Sequence, residues 1–312
     1  MPETFQTKLM LDLEPVVAKE LDRHLSMAKE WFPHEYVPWS QGRDFEMLGG
    51  EPWSIEDSKI SKEARESLIV NLLTEDNLPG YHRAIAEVFG RDGAWGTWVN
   101  RWTAEENRHG IVIRDYLTVT RAVDPEALER ARMHHMEVGY EADHGESFLH
   151  GAAYVSFQEL ATRVSHRNTG KASGDPLCEQ MLTRVAADEN LHMIFYRNLL
   201  ANALELAPNE TMRAITDVVK NFQMPGHSID GFLRKSVVIA NAGIYDLRLH
   251  HDDVLTPVLR KWGVWDRTDL DDDGDKARDE LAEFMAGLDD AATKFETRRE
   301  ERRARRAARR ES

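Results

Sequence analysis

Trp102-Thr103-Ala104-Glu105-Glu106-Asn107-Arg108-His109 and Ala187-Asp188-Glu189-Asn190-Leu191-His192 decide how this chain is read. Each carries Glu-x-x-His, which on a helix places a carboxylate and an imidazole on one face, one turn apart. Stepping by threes and fours from Glu106 and His109 meets Trp95, Val99, Trp102, Ile113 and Tyr116. The same walk around the second copy meets Cys178, Leu182, Val185, Tyr196 and Leu199. Both pairs therefore sit within apolar seams, where a bundle helix faces its core. Ionisable groups buried there need compensation, since even a neutral polar group left unpaired costs roughly 2–7 kcal/mol. A metal ion supplies it.

Two more carboxylates complete the pattern. Glu75 lies 31 residues before Glu106, and Glu159 lies 30 residues before Glu189. One inward Glu followed by an inward Glu-x-x-His, twice over, is the ligand inventory of a ferritin-like di-iron carboxylate bundle. Carboxylate oxygens with two imidazoles suit Fe or Mn better than thiolate-seeking metals. A third Glu-x-x-His, Glu141 to His144, lacks a seam and reads as a solvated loop between Gly139 and Gly145. Asp188 either accepts a hydrogen bond from the far nitrogen of a ligand histidine or is an exposed helix carboxylate, and the first reading is preferred. Thr162, one turn past Glu159, either faces the oxygen side of a cluster or bonds back to its own helix. His82 and His166 read as satisfied polar residues near the bundle ends rather than as ligands.

The remaining periodicity is helical throughout, and no stretch alternates as a strand. Helices are expected over about 8–32, from Ser61 past Glu75 with a kink at Pro79, and over 95–120. Further helices are expected from Asp124, over 147–166, 177–206 and 208–223, and in shorter pieces over 228–263. The Pro- and Gly-rich segment 33–52 reads as an irregular connection pinned to the bundle by Trp31, Trp39 and Trp53. Residues 168–176 read as a turn region, 269–275 as an acidic linker and 276–297 as a last amphipathic helix. The expectation is one all-α domain over 1–297, its di-iron core at about 61–206 with flanking helices, and an Arg-rich tail over 298–312.

Composition narrows the function. A net charge of −15 gives no support to nucleic-acid binding. A single cysteine, Cys178, excludes an intramolecular disulfide and fits a reducing compartment, and no apolar run is long enough to span a bilayer. A cytoplasmic protein is expected. The tail holds eight arginines and three glutamates, so its +5 leaves −20 for residues 1–297. It reads as a solvated helix extension or as a docking arm for an acidic partner protein.

The chain resembles the soluble acyl-carrier-protein desaturases, most closely their actinobacterial, mycobacterial-type branch. The resemblance is carried by Thr74-Glu75-Asp76-Asn77-Leu78-Pro79, by Arg101 to Gly110, by Ser156-Phe157-Gln158-Glu159, by Ser165 to Thr169 and by Ala187-Asp188-Glu189. It implies that Glu106 and Glu189 bridge two irons, with Glu75 and His109 completing one site and Glu159 and His192 the other. It further implies that Asp188 joins His109 to Trp31 along an electron path. The family takes electrons from a ferredoxin-type donor and O2 as co-substrate, and forms a cis double bond in an acyl chain held on acyl-carrier protein; its members are homodimers. Plant-type members carry Lys-Arg where this chain has Asn190-Leu191, so carrier docking is expected to differ here. A ferritin-like iron oxidase and a di-iron acyl hydroxylase are alternatives that use the same ligands.

Overall fold

A computed structural model describes residues 4–140, 147–226 and 229–311. The third Glu-x-x-His, at 141–144, lies outside them. Twelve α-helices carry the described chain, and no strand occurs among the described residues. They are α1 (Phe5–Met27), α2 (Lys62–Asp76), α3 (Leu78–Phe89), α4 (Gly93–Val119), α5 (Pro125–Val138) and α6 (Phe148–Ser173). There follow α7 (Pro176–Leu206), α8 (Pro208–Lys220), α9 (Phe232–Ala242), α10 (Leu247–Leu249), α11 (Thr256–Trp262) and α12 (Asp272–Glu311).

Helices α2, α4, α6 and α7 make the central bundle, with α1 laid against α4 and α7, and α8 against α6 and α12. Their starts follow local chemistry. Ser61, Ser147 and Asp175 accept hydrogen bonds from the first-turn N–H groups of α2, α6 and α7. Helix α4 has no such side-chain cap; instead Glu14 of α1 accepts from the Ala94 N–H at 3.2 Å. Pro79 does not kink one long helix, because α2 stops at Asp76 and the proline sits in the first turn of α3, where its missing N–H costs nothing. Glu75 is thereby held in the last turn of α2.

Several boundaries differ from expectation. Helix α1 ends at Met27 because Ala28 is extended, so Trp31 reaches the bundle from a loop. Residues 168–173 are helical, and the turn shrinks to Gly174-Asp175. The residues that suggested a turn serve packing instead. A Cβ on Gly170 would stand 3.0 Å from the Glu179 Cα of α7, and the Thr169 hydroxyl bonds to Ser67 at 2.7 Å. The acidic linker is in large part the start of α12. Asp271 accepts from the N–H groups of Asp273 and Gly274, and further aspartates occupy the positive end of the helix dipole. Helix α12 then continues to Glu311, so residues 298–311 extend it without a break.

The 33–60 segment is held by two of the three tryptophans. Trp31 is buried, and Trp53 donates to the Arg121 carbonyl at 3.0 Å. Arg121, in the left-handed region at φ 53°, also donates to the carbonyls of Glu51 and Pro52 and to Asp57. Trp39 is half exposed and among the described residues its ring bonds only within its own loop, to the His34 carbonyl, so it does not anchor the segment. Cys178 is fully buried, and burial pushes its thiol up to about 12, as suits a packing residue.

Candidate metal centre

Glu75, Glu106, His109, Glu159, Glu189 and His192 converge from α2, α4, α6 and α7, and all six are buried. They form two groups that overlap. Glu75, Glu106, His109 and Glu189 bring donor atoms within 4.8 Å of one another, as do Glu106, Glu159, Glu189 and His192. Glu106 and Glu189 belong to both. His109 Nδ1 lies 3.2 Å from Glu106 Oε2, 3.3 Å from Glu189 Oε1 and 3.8 Å from Glu75 Oε2. His192 Nδ1 lies 2.8 Å from Glu106 Oε1, 3.5 Å from Glu159 Oε2 and 3.9 Å from Glu189 Oε2. Each shared carboxylate thus turns one oxygen toward each imidazole.

The electrostatics are those of a cation site. Burial and the charges of Glu106 and Glu189 push Glu75 and Glu159 well above the usual carboxylate range. Burial opposes ionisation of Glu106 and Glu189 as well, but His109 and His192 hold both below it. Burial lowers the two imidazoles, and the surrounding carboxylates outweigh it and raise both. Glu106 Oε1, Glu159 Oε2, both oxygens of Glu189 and His192 Nδ1 are buried and make no hydrogen bond. Close approach without hydrogen-bond geometry means that these atoms point at common positions between them. With their protons displaced by metal, four carboxylates and two neutral imidazoles would balance two divalent cations.

The far nitrogen of each histidine faces a carboxylate. His109 Nε2 lies 3.5 Å from Asp188 Oδ2, and Asp188 accepts from Trp31 Nε1 at 2.7 Å. Arg108 and Arg184 also contact Asp188. On the other side His192 Nε2 lies 2.9 Å from Glu105 Oε2, which also meets His24 Nε2 at 2.8 Å. Glu105 is buried, and although burial opposes it, the His192 and His24 imidazoles hold its carboxyl far below the usual range. Sequence reasoning found Asp188 and missed Glu105 and His24. The signal was present: an acid stands directly before the Glu of each Glu-x-x-His.

The other two histidines divide. His82 is half-buried and bonds to the Thr103 hydroxyl. His166 is not near a bundle end. It is fully buried, with Nε2 3.0 Å from Glu75 Oε1, Nδ1 3.2 Å from Asn71 Nδ2, and burial lowering its pKa to about 4. As a neutral ring it orients the Glu75 carboxylate.

Residues 5–311 match the model of a family described as fatty acid desaturase. The chain belongs to that family. It is 52% identical over 296 residues to DesA1 of Mycobacterium tuberculosis strain H37Rv, which carries the provisional name of an acyl-carrier-protein desaturase. That alignment covers 93% of this chain and 88% of DesA1. It is 32% identical over 251 residues to the chloroplastic stearoyl-acyl-carrier-protein 9-desaturase 6 of Arabidopsis thaliana, covering 75% of this chain and 63% of that one. Among solved structures it superposes on the X-ray structure of M. tuberculosis DesA2 with a TM-score of 0.70 and 31% identity, covering 82% of this chain and 95% of DesA2.

In this desaturase-family bundle a slot of about 220 Å³ leads to the carboxylates. Glu75, Glu106 and Thr162 line it together with Ile85, Val88, Phe89, Val155 and Ile239. The Thr162 hydroxyl donates to the Gln158 carbonyl at 2.8 Å and accepts from Gln158 Nε2 at 2.9 Å, so it bonds along its own helix while bordering the slot. No helix among the described residues is long and apolar enough to cross a membrane.

Proposed function

We propose that this protein is an O2-dependent acyl-carrier-protein desaturase that holds two irons per chain and forms a cis double bond. The observation that carries the reading is that Glu75 and Glu106, from the overlapping donor groups, also line a largely apolar slot. A straight alkyl chain has no polar group to grip, so its recognition falls to such a slot. The relatives' names supply the carrier-bound acyl substrate.

The donor set fits two irons. Glu106 and Glu189 would bridge them, Glu75 and His109 would complete one site, and Glu159 and His192 the other. When bound and reduced, the iron pair supplies the O2 activation that breaking unactivated C–H bonds requires. The balance is one –CH2–CH2– unit, O2, two electrons and two protons giving one –CH=CH– unit and two waters. A ferredoxin-type donor would supply the electrons, and the Trp31–Asp188 hydrogen bond and the 3.5 Å approach of Asp188 to His109 support a path through these residues. A homodimer and a cytoplasmic setting complete the proposal.

The protein's own residues do the positioning. Glu105 accepts the far N–H of His192 and Asp188 faces the far nitrogen of His109 at 3.5 Å, so a carboxylate stands behind each ring with Nδ1 inward. Trp102 donates to Glu159 Oε1 at 2.9 Å and fixes that carboxylate, as His166 fixes Glu75. The slot wall keeps bulk water from the reacting carbons.

The test supplies iron-loaded protein, a ferredoxin reducing system, O2 and a range of acyl-carrier-protein substrates. A released chain lighter by two hydrogens is expected. A chain heavier by one oxygen would make the protein a hydroxylase, and unchanged chains with continued O2 consumption would make it an oxidase.

A further inference from the structure

The Arg-rich end of α12 is organised in two stripes, and only one is fastened to another helix. Arg299 and Arg303 turn toward α9, donating to the carbonyls of Ala240 at 3.1 Å and Asn241 at 2.9 Å; Arg299 also pairs with Asp246. They satisfy acceptors at the negative end of the α9 dipole. Arg298, Arg302 and Arg305 recur at spacings of four and three along the adjacent side of the helix, and all three are exposed. Arg298 and Arg302 make no ion pair among the described residues, and Arg305 meets only Glu301, at 3.8 Å. These exposed cations stand on a chain whose other residues, 1–297, carry −20.

Helix α9, to which the inner stripe is fastened, is a thin wall over the slot. Phe232, Ser236 and Ile239 face the slot at spacings of four and three. On the other side Leu233 is 81% and Val237 56% exposed, and Arg234 between them has no ion-pair partner among the described residues. The outer face of α9 thus shows an apolar pair one turn apart, and the helix fastened to its C-terminal end carries exposed arginines, a combination that an amphipathic, acidic protein helix fits.

We propose that the outer face of α9 and the Arg298–Arg302–Arg305 stripe form the docking surface for the acidic acyl-carrier protein, above the slot that receives its chain. The inference rests on the desaturase reading. It also gives a location for the basic contacts that the Asn190-Leu191 sequence does not supply. The arginine stripe steers and holds the carrier's acidic face, and Leu233 and Val237 cover its apolar residues.

The test measures binding of palmitoyl- and stearoyl-loaded carrier protein to the full chain across a range of salt concentrations. The variant R298E/R302E/R305E leaves the inner stripe intact, and Leu233→Glu probes α9 separately. K8E/K19E/K29E changes the net charge equally at exposed sites on and just after α1. The stripe variant is expected to weaken binding about tenfold or more at low salt and to flatten the salt dependence. Leu233→Glu is expected to weaken binding at all salt concentrations, and the α1 control to stay within about twofold of the parent. Equal binding by the stripe variant and the parent, or an equal loss in the α1 control, overturns the docking surface. So does a stripe variant that loses only binding to vesicles of anionic lipid. A parent that desaturates acyl-carrier protein while the stripe variant binds it normally rejects the docking surface alone. A parent that neither binds nor desaturates it rejects the desaturase reading as well.

Discussion

Replacing Glu105 by Gln should weaken one iron position and spare the other. Glu105 Oε2 lies 2.9 Å from His192 Nε2 and 2.8 Å from His24 Nε2, while the carboxylate also pairs with Arg101. The amide keeps the shape and removes the negative charge that fixes the His192 tautomer and makes the ring a better donor. Removing such an outer contact costs about 10–100-fold in metal affinity, which is about 1.4–2.7 kcal/mol. The loss of the Arg101 pair adds less than about 1 kcal/mol to the folding cost, because that guanidinium is 39% exposed. His109 keeps Asp188 and Trp31, so its position should load as in the parent. The assay is a ferrous titration against a chelator of known affinity, with Mössbauer spectra taken at one and two equivalents. Two classes of site separated by at least about tenfold are expected. Two unchanged sites, or equal weakening of both, would refute the assignment of Glu105 to one imidazole.

Three further outcomes follow from the packing and the slot. Gly151 lines the slot, and a Cβ there would stand 3.6 Å from Val88, so Gly151→Leu should fold and load iron while the product profile shifts to shorter acyl chains. Discrimination of about 10–200-fold against the longest chain is the expected scale. Trp98 is fully buried and stacked on Phe195 with ring centroids 3.5 Å apart, so Trp98→Ala should cost about 3–5 kcal/mol in denaturant unfolding. The Asp57 carboxyl is held down to about 2 by Arg121 and by the Ser54 N–H. Its contribution to pinning the 51–57 loop is complete above the unperturbed value of 3.8 and fades as pH falls from there toward about 2. Limited proteolysis should therefore show the loop opening in acid, and Asp57→Asn should open it at neutral pH.

The bundle and its donor set were legible because buried polar residues are costly enough to leave a pattern. Glu-x-x-His within an apolar seam states both the helix and the face, and the two copies with their upstream glutamates state the neighbours. Glu105 was hidden by its own neighbour: with two adjacent acids, the seam walk selects Glu106 and passes over Glu105. It is buried because α1 brings His24 across to it, a contact over 81 residues that no local pattern encodes. His166 was misplaced for a similar reason, since a position two turns from Glu159 sits beside Glu75 only once α2 crosses α6. The residues from Asn168 to Ser173 have turn-like composition, yet their small and hydroxyl side chains serve the close approach of α6 to α7 and to α2. The start of α12 misled through charge, because consecutive aspartates suit a solvated linker and a helix N-terminus equally well.

Iron stoichiometry in Glu189→Ala tests the central claim most directly. Glu189 offers one oxygen to each group of donors, at 3.3 Å from His109 Nδ1 and 3.9 Å from His192 Nδ1. The parent should bind two irons per chain with the Mössbauer signature of a coupled pair. The variant should keep its helical circular dichroism and lose that pair. A folded variant that still binds two coupled irons would contradict the account.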